Sequence, residues 1–212
     1  MIAAVIPTRY RPPELAPLVE QLLADGVQPI VLESADYDHR IYRMWNAGVE
    51  KARIIGAGEV AILNDDVTLL PGSLPLMAQA LRSDPFAAVV YPDVNAAWSL
   101  PATWSLEATR GTWGAGGMTG FCFMFRTALR QPFDEAYHWW YGDDAFEDEV
   151  RRTGLRVCRV VGLPIRHVGN GSASKRWAEL APLIEQDRAR WDAHTARWAG
   201  VLAHYARDER AE

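Results

Sequence analysis

The segment VAILNDDVTLLPGS, residues 60–73, sets the tightest limit on how this chain can fold. Val60, Ala61, Ile62 and Leu63 form an apolar run without alternation, the pattern of a strand buried on both faces, and the run stops at Asn64, Asp65 and Asp66. Polar side chains therefore sit at a strand's C-terminal edge, which in an open α/β sheet is where ligands bind. Two adjacent carboxylates beside an amide are oxygen donors suited to Mg²⁺ or Mn²⁺, able to tie such a metal to a diphosphate. The same residues also suit a plain turn, because Asn and Asp accept turn dihedrals and bond to their own backbone.

A chain of 212 residues, 49% of them hydrophobic, can bury a full core and reads as one domain with a small appendage. No run approaches the roughly 18 apolar residues of a membrane span, and residues 1–7 lack the basic head and apolar length of a signal peptide. The expectation is a cytoplasmic protein with no stable membrane insertion. Cys122 and Cys158 both lie in apolar, strand-like runs and read as free core thiols. A formal charge of −5 argues against unspecific binding to nucleic acid. Nine tryptophans are many for this length; such rings line sugar or base sites as well as cores.

Residues 2–6 form a first apolar strand that ends in Pro7, Thr8, Arg9, Tyr10 and Arg11, a second polar strand end. Pro12, Pro13 and Glu14 suit a helix start, and Leu15, Leu18, Val19, Leu22 and Leu23 recur at helical spacing as far as Gly26. A strand over 29–32 closes on Glu33, completing a parallel βαβ unit. No GxGxxG follows the first strand, so the dinucleotide fingerprint is absent. Helical spacing returns over 36–52, where Asn46 reads as a solvated residue and Gly48 as a point of close approach. After the 60–63 strand come a helix from Leu74 to Leu81 and a strand over 86–91. This succession makes a small α/β sheet the expected fold class.

Residues 95–119 differ, with Trp98, Trp104 and Trp113 among Gly111, Gly114, Gly116 and Gly117. They suit an irregular, aromatic loop over the sheet edge, or a bent hairpin whose tryptophans close the core. A strand over 120–125 is halted by Arg126, and the run HWWYGDD follows at 138–144. Asp143 and Asp144 fall at the N-terminus of a helix that Gly154 ends. Capping explains one of them. Two, behind three aromatic rings, suggest a partly desolvated carboxylate able to take a proton from a hydroxyl. A strand over 156–161 leads to the connection IRHVGNGS, where a neutral His167 could complete a metal shell begun by Asp66. The tail places Trp177, Leu180, Leu183, Ile184, Trp191, His194, Trp198, Leu202 and Tyr205 at helical intervals, an amphipathic stripe for packing, dimerisation or acceptor binding.

Taken in order, VIPTRYRP, ILNDDV, TGFCFMFR, FDE with its aromatic residues and GDD, and IRHVGNGS resemble the nucleotide-sugar glycosyltransferases of family 2, with the GT-A fold. The resemblance spans residues 2–172. It implies a single GT-A-like domain over 1–172, a mostly parallel central sheet flanked by helices, and a helical extension over 173–212 that packs on the domain or mediates self-association as a homodimer. Pro7, Thr8 and Arg9 match the nucleotide-contacting strand end, with Arg11 a diphosphate contact and Glu33 the acid that addresses the base. Asn64, Asp65 and Asp66 match the aspartate-rich motif, Asp66 as the metal ligand and Asp65 nearer the sugar or ribose; His167 matches the later histidine of the metal shell. Asp143 and Asp144 match the acidic pair of the catalytic helix, with Asp144 as base. Here the chain departs from the family's usual Glu-Asp, and Phe146 replaces a common acid further on.

The function so implied is a metal-dependent inverting hexosyltransferase. Mn²⁺ or Mg²⁺ would neutralise the leaving diphosphate of a nucleotide-sugar donor, UDP-linked or with GDP as runner-up. The acceptor is any molecule with a free hydroxyl, and a glycan, a lipid, a protein and a modified nucleobase are all compatible. A sugar nucleotidyltransferase would also use an α/β sheet, a metal and a nucleotide, but TRYRPPE lacks the basic Gly-rich loop expected after its first strand. A non-catalytic carbohydrate-binding homologue would use the tryptophans without needing convergent acids.

Overall fold

The computed structural model of the chain describes residues 1–109, 117–129, 132–167 and 177–208, with the backbone alone at 177 and 198–208. Its first part alternates strand and helix: β1 (Ile2–Thr8), α1 (Leu15–Ala24), β2 (Val27–Glu33), one 3₁₀ turn (Ser34–Tyr37), α2 (Ile41–Ile54) and β3 (Glu59–Leu63). A short β4 (Val67–Thr68), α3 (Ser73–Ser83), β5 (Ala87–Pro92), β6 (Ser105–Ala108) and β7 (Cys122–Arg126) follow. Then come α4 (Gly142–Arg152), β8 (Arg156–Val161), β9 (Arg166–His167) and the long α5 (Trp177–Asp208).

Seven strands form the central sheet in the order β2-β1-β3-β7-β5-β8-β6. The sheet is mixed. β1 runs parallel to β2 and β3, and β5 parallel to β8, whereas β7 is antiparallel to β3 and β5 and β6 is antiparallel to β8. The parallel expectation thus holds for the βαβ half, whereas β7 inserts antiparallel between β3 and β5. β4 and β9 pair apart from this sheet, antiparallel, with Val67 opposite His167.

Every residue of β3 is buried, and the strand serves two cores. Val60 and Ile62 meet the face covered by α2 and α4, with Trp45, Phe123, Phe125, Phe133 and Phe146 packed ring against ring at centroid distances of 4.9 to 6.1 Å. Ala61 and Leu63 meet the opposite face, with Leu18 and Leu22 of α1 and Leu74, Met77 and Leu81 of α3. Burial of both faces is why the run lacks alternation. Gly48 is the close approach its position suggested: a Cβ there would overlap both methyls of Val5, so α2 lies directly on β1.

Asn46 corrects the solvated reading. It is buried, its Nδ2 donates to the Phe133 carbonyl at 2.9 Å, and its Oδ1 accepts from the Phe133 N–H at 3.2 Å. Its helical spacing carried no sign of this, because the partner lies 87 residues away. Both cysteines are buried free thiols. Among the described residues no helix is long and apolar enough to cross a membrane.

Candidate active site

The C-terminal ends of β1 and β3, the start of β7, β9 and the start of α4 converge on one cavity of about 510 Å³. Its lining includes Pro7, Thr8 and Arg9, Asn64, Asp65 and Asp66, and His167, together with Trp139, Trp140, Tyr141, Asp143 and Asp144. Parallel strands bring the first two groups together: β1 and β3 are neighbours, so their polar ends stop side by side. Thr8 Oγ1 donates to Asp65 Oδ2 at 2.7 Å and accepts from the Arg11 N–H at 3.1 Å. Burial pushes the Asp65 carboxyl above the usual carboxylate range; the Thr8 hydrogen bond opposes this and the Asp66 charge adds to it.

The β4–β9 pair places His167 against Asp66, with Nε2 2.9 Å from Asp66 Oδ1 and 3.3 Å from Asn64 Nδ2. Phe121 stacks on the imidazole, with centroids 4.4 Å apart and planes at 17°, and fixes its plane. Among the described residues no group of three or more His, Cys, Asp or Glu gathers to hold a metal ion. A carboxylate oxygen and an imidazole nitrogen 2.9 Å apart nevertheless fit Mg²⁺ or Mn²⁺ when substrate phosphate and water supply the rest of the shell.

Asp143 and Asp144 occupy the first turn of α4, where the helix dipole favours negative charge. Asp143 faces inward: its Oδ1 accepts from the Tyr42 hydroxyl at 3.2 Å, and its Oδ2 lies so close to Gly120 that a Cβ there would overlap it. The Tyr42 oxygen in turn accepts from the Gly142 N–H at 2.8 Å. Burial pushes the Asp143 carboxyl up, against the pull of N–H groups at the helix start and of Tyr42. Burial also raises Tyr42, with the Asp143 charge next in effect. Further along α4, buried Glu147 accepts from the Met118 N–H at 2.8 Å and pairs with Arg151, which donates to the Thr109 carbonyl. The acidic helix thereby ties down both described ends of the aromatic loop.

Nine of the residues expected at the site line the cavity, and Arg11 and Glu33 do not. These two pair with each other at 2.5 Å on the rim, where β1 and β2 end in register. Of the loop tryptophans, Trp104 packs on the core and Trp98 stacks under Arg166 at 4.2 Å, next to His167. Gly111, Trp113, Gly114 and Gly116 lie outside the described residues, as do residues 168–172 and the side chains of Trp177, Trp198, Leu202 and Tyr205. Tyr42 and Gly120 also line the cavity, and sequence reasoning missed both. Gly120 read as the start of an apolar strand, and Tyr42 occupied an ordinary helical position.

No family model and no curated protein matches the chain. Solved structures do. A glucosyl-3-phosphoglycerate synthase from Mycobacterium tuberculosis, in complex with Mn²⁺, UDP and glucosyl-3-phosphoglycerate, is 11% identical over 92% of this chain and 79% of its own, with a TM-score of 0.59. A Drosophila β1,4-galactosyltransferase 7 variant, in complex with manganese, UDP-Gal and xylobiose, is 19% identical over 82% and 72%, with a TM-score of 0.55. A197 from STIV is 11% identical over 80% and 86%, with a TM-score of 0.53. The chain therefore has a GT-A-like fold, one shared with several glycosyltransferases.

Proposed function

We propose that this chain is a metal-dependent inverting glycosyltransferase of the family 2 type, moving a hexosyl group from a UDP-linked donor to an acceptor hydroxyl. The observation that carries the reading is the meeting, across one cavity, of the Asp66–His167 pair with the two carboxylates that open α4. Transfer from a nucleotide sugar needs charge neutralised at the leaving diphosphate and a base at the acceptor oxygen, and groups suited to each line the same cavity. The shared fold with enzymes whose structures hold Mn²⁺ and uridine nucleotides agrees with it.

In this reading Asp66 and His167 hold Mn²⁺ or Mg²⁺, while Asn64, Asp65 and Thr8 face the ribose or sugar. The metal, when bound, supplies positive charge to the departing diphosphate. Pro7 and Arg9 border the nucleotide, and the Arg11–Glu33 pair stands at the rim where the base would extend. Asp144 takes the proton of the acceptor hydroxyl, whose oxygen attacks the anomeric carbon from the face opposite the diphosphate and inverts its configuration. Asp143 has one oxygen given to Tyr42 and the other packed under Gly120, an arrangement for orienting the helix start rather than for meeting the acceptor.

The test is a screen of donors and acceptors in Mn²⁺, with UDP release measured and products identified by mass spectrometry. Transfer from a UDP-sugar that stops on chelation is the expected result. A nucleotide sugar assembled from a nucleoside triphosphate and a sugar phosphate would establish the nucleotidyltransferase instead.

A further inference from the structure

The carboxylate of Asp187, on α5, is wholly buried, and its two oxygens take four donors. Oδ1 accepts from the His138 N–H at 2.9 Å and from His138 Nδ1 at 3.1 Å; Oδ2 accepts from the N–H groups of Trp139 at 2.8 Å and Trp140 at 3.0 Å. Arg40 can only donate, so its Nη2, 3.0 Å from His138 Nε2, fixes the neutral ring with the hydrogen on Nδ1. The Ile41 N–H closes the other side by donating to the His138 carbonyl at 3.2 Å. The next residue, Tyr141, has φ 66° and ψ −6°, a left-handed conformation that an aromatic residue keeps only where its surroundings hold it. Trp191, also on α5, stacks on Tyr141 with planes at 12° and centroids 6.3 Å apart. One helix thus secures a corner whose residues form one cavity wall and lead straight into Asp143 and Asp144.

We propose that Asp187 is a positioning residue of the active site: from α5 it holds the 138–141 corner, and so sets where Trp139, Trp140 and Tyr141 stand and where α4 begins. A carboxylate at 187 answers three backbone N–H groups and the ring N–H of His138, donors of the corner that an apolar residue there would leave without a partner. The role rests on the transfer reading above and adds to it that the C-terminal helix belongs to the catalytic machinery. The Asp66–His167 pair and the Thr8–Asp65 pair come from strand ends that Asp187 does not touch. Loss of Asp187 should therefore separate turnover from nucleotide affinity, whereas a purely structural role would lower both together with the melting temperature.

The experiment compares the full chain with Asp187→Asn and Asp187→Ala. UDP binding in Mn²⁺ is read by calorimetry, UDP release from UDP-glucose by turnover, and the amides of 138–140 by hydrogen exchange. The expected result is UDP affinity within about threefold of wild type, turnover lower by about 10²-fold, and lost protection at those amides. Formate should restore part of the turnover of Asp187→Ala, since it can refill a hole lined by the same four donors. Wild-type turnover in Asp187→Ala, a parallel fall of affinity and turnover, or unchanged exchange would each overturn the proposal. Should Asp187→Ala not fold, Asp187→Asn decides the question, because it keeps the size but turns an amide NH₂ toward N–H donors. A wild-type chain that neither binds UDP nor releases it overturns the transfer reading, and the exchange measurement then decides on its own whether Asp187 holds the corner.

Discussion

Asp143 and Asp144 are neighbours with different surroundings, and single substitutions can tell them apart. Asp144→Asn keeps shape but cannot take a proton, so turnover should fall by about 10²- to 10⁴-fold with little change in donor affinity. If Asp143→Asn loses turnover and Asp144→Asn does not, the two roles are exchanged. Asp143 also carries a stability signature. Its folded pKa lies above the unfolded one, so its ionisation costs nothing at pH values below the unfolded pKa, and the cost develops as pH rises through the folded pKa. Asp143→Asn should consequently melt above wild type at pH 7, by about 2–4 °C for each kcal/mol recovered, and the gap should close as pH is lowered toward about 4. A gap independent of pH would show that ionisation of the Asp143 carboxyl is not the cause. Gly120→Ala puts a methyl where Asp143 Oδ2 sits and should lower turnover by about 10²-fold while circular dichroism stays native.

At the scale of elements, two contacts of α2 fix the rear of the cavity. Gly48 lets the helix lie on β1, the strand that ends in Thr8, and Gly48→Ala must push the two apart. Its expected cost is about 1–3 kcal/mol in urea unfolding, and an unchanged midpoint would mean that Val5 yields instead. Asn46 fastens α2 to the segment leading to the aromatic corner. Asn46→Leu leaves the N–H and C=O of Phe133 without partners, at about 1–3 kcal/mol for each buried group. Equilibrium unfolding checks both, and the Asn46 variant should be the worse of the two.

For the whole molecule the transfer reading makes stability depend on ligands. A ligand that binds the folded chain alone adds about 2.7 kcal/mol at a hundred times its dissociation constant, so UDP with Mn²⁺ should raise the melting temperature by roughly 5–10 °C. Asp66→Ala and His167→Ala should each abolish the part of the shift that needs Mn²⁺, leaving the unliganded melting temperature nearly as it was. A shift that survives both variants would place the metal elsewhere.

How much of this could be read in advance differs by element. Uniform apolar runs such as 60–63 showed strands buried on both faces, and the polar residues that stop them showed where a sheet edge would face ligands. Adjacent acids before a helical stretch put Asp143 and Asp144 in a first turn. All of these are local signals, carried by residues within a few positions of each other. The ordered set of motifs then implied the α/β layering that the chain has. What the sequence could not determine depends on partners far along the chain: the antiparallel insertion of β7, the β4–β9 pairing that sets His167 beside Asp66, and the burial of Asn46 against Phe133. Gly120 looked like any strand residue until Asp143 was folded over it, and Asp187 looked like the polar face of a helix until three backbone N–H groups converged on its carboxylate. A side chain's type states which bonds it can make; only the folded chain decides which groups arrive to make them, because those groups are separated in sequence by tens of residues and are brought within hydrogen-bond reach by packing alone.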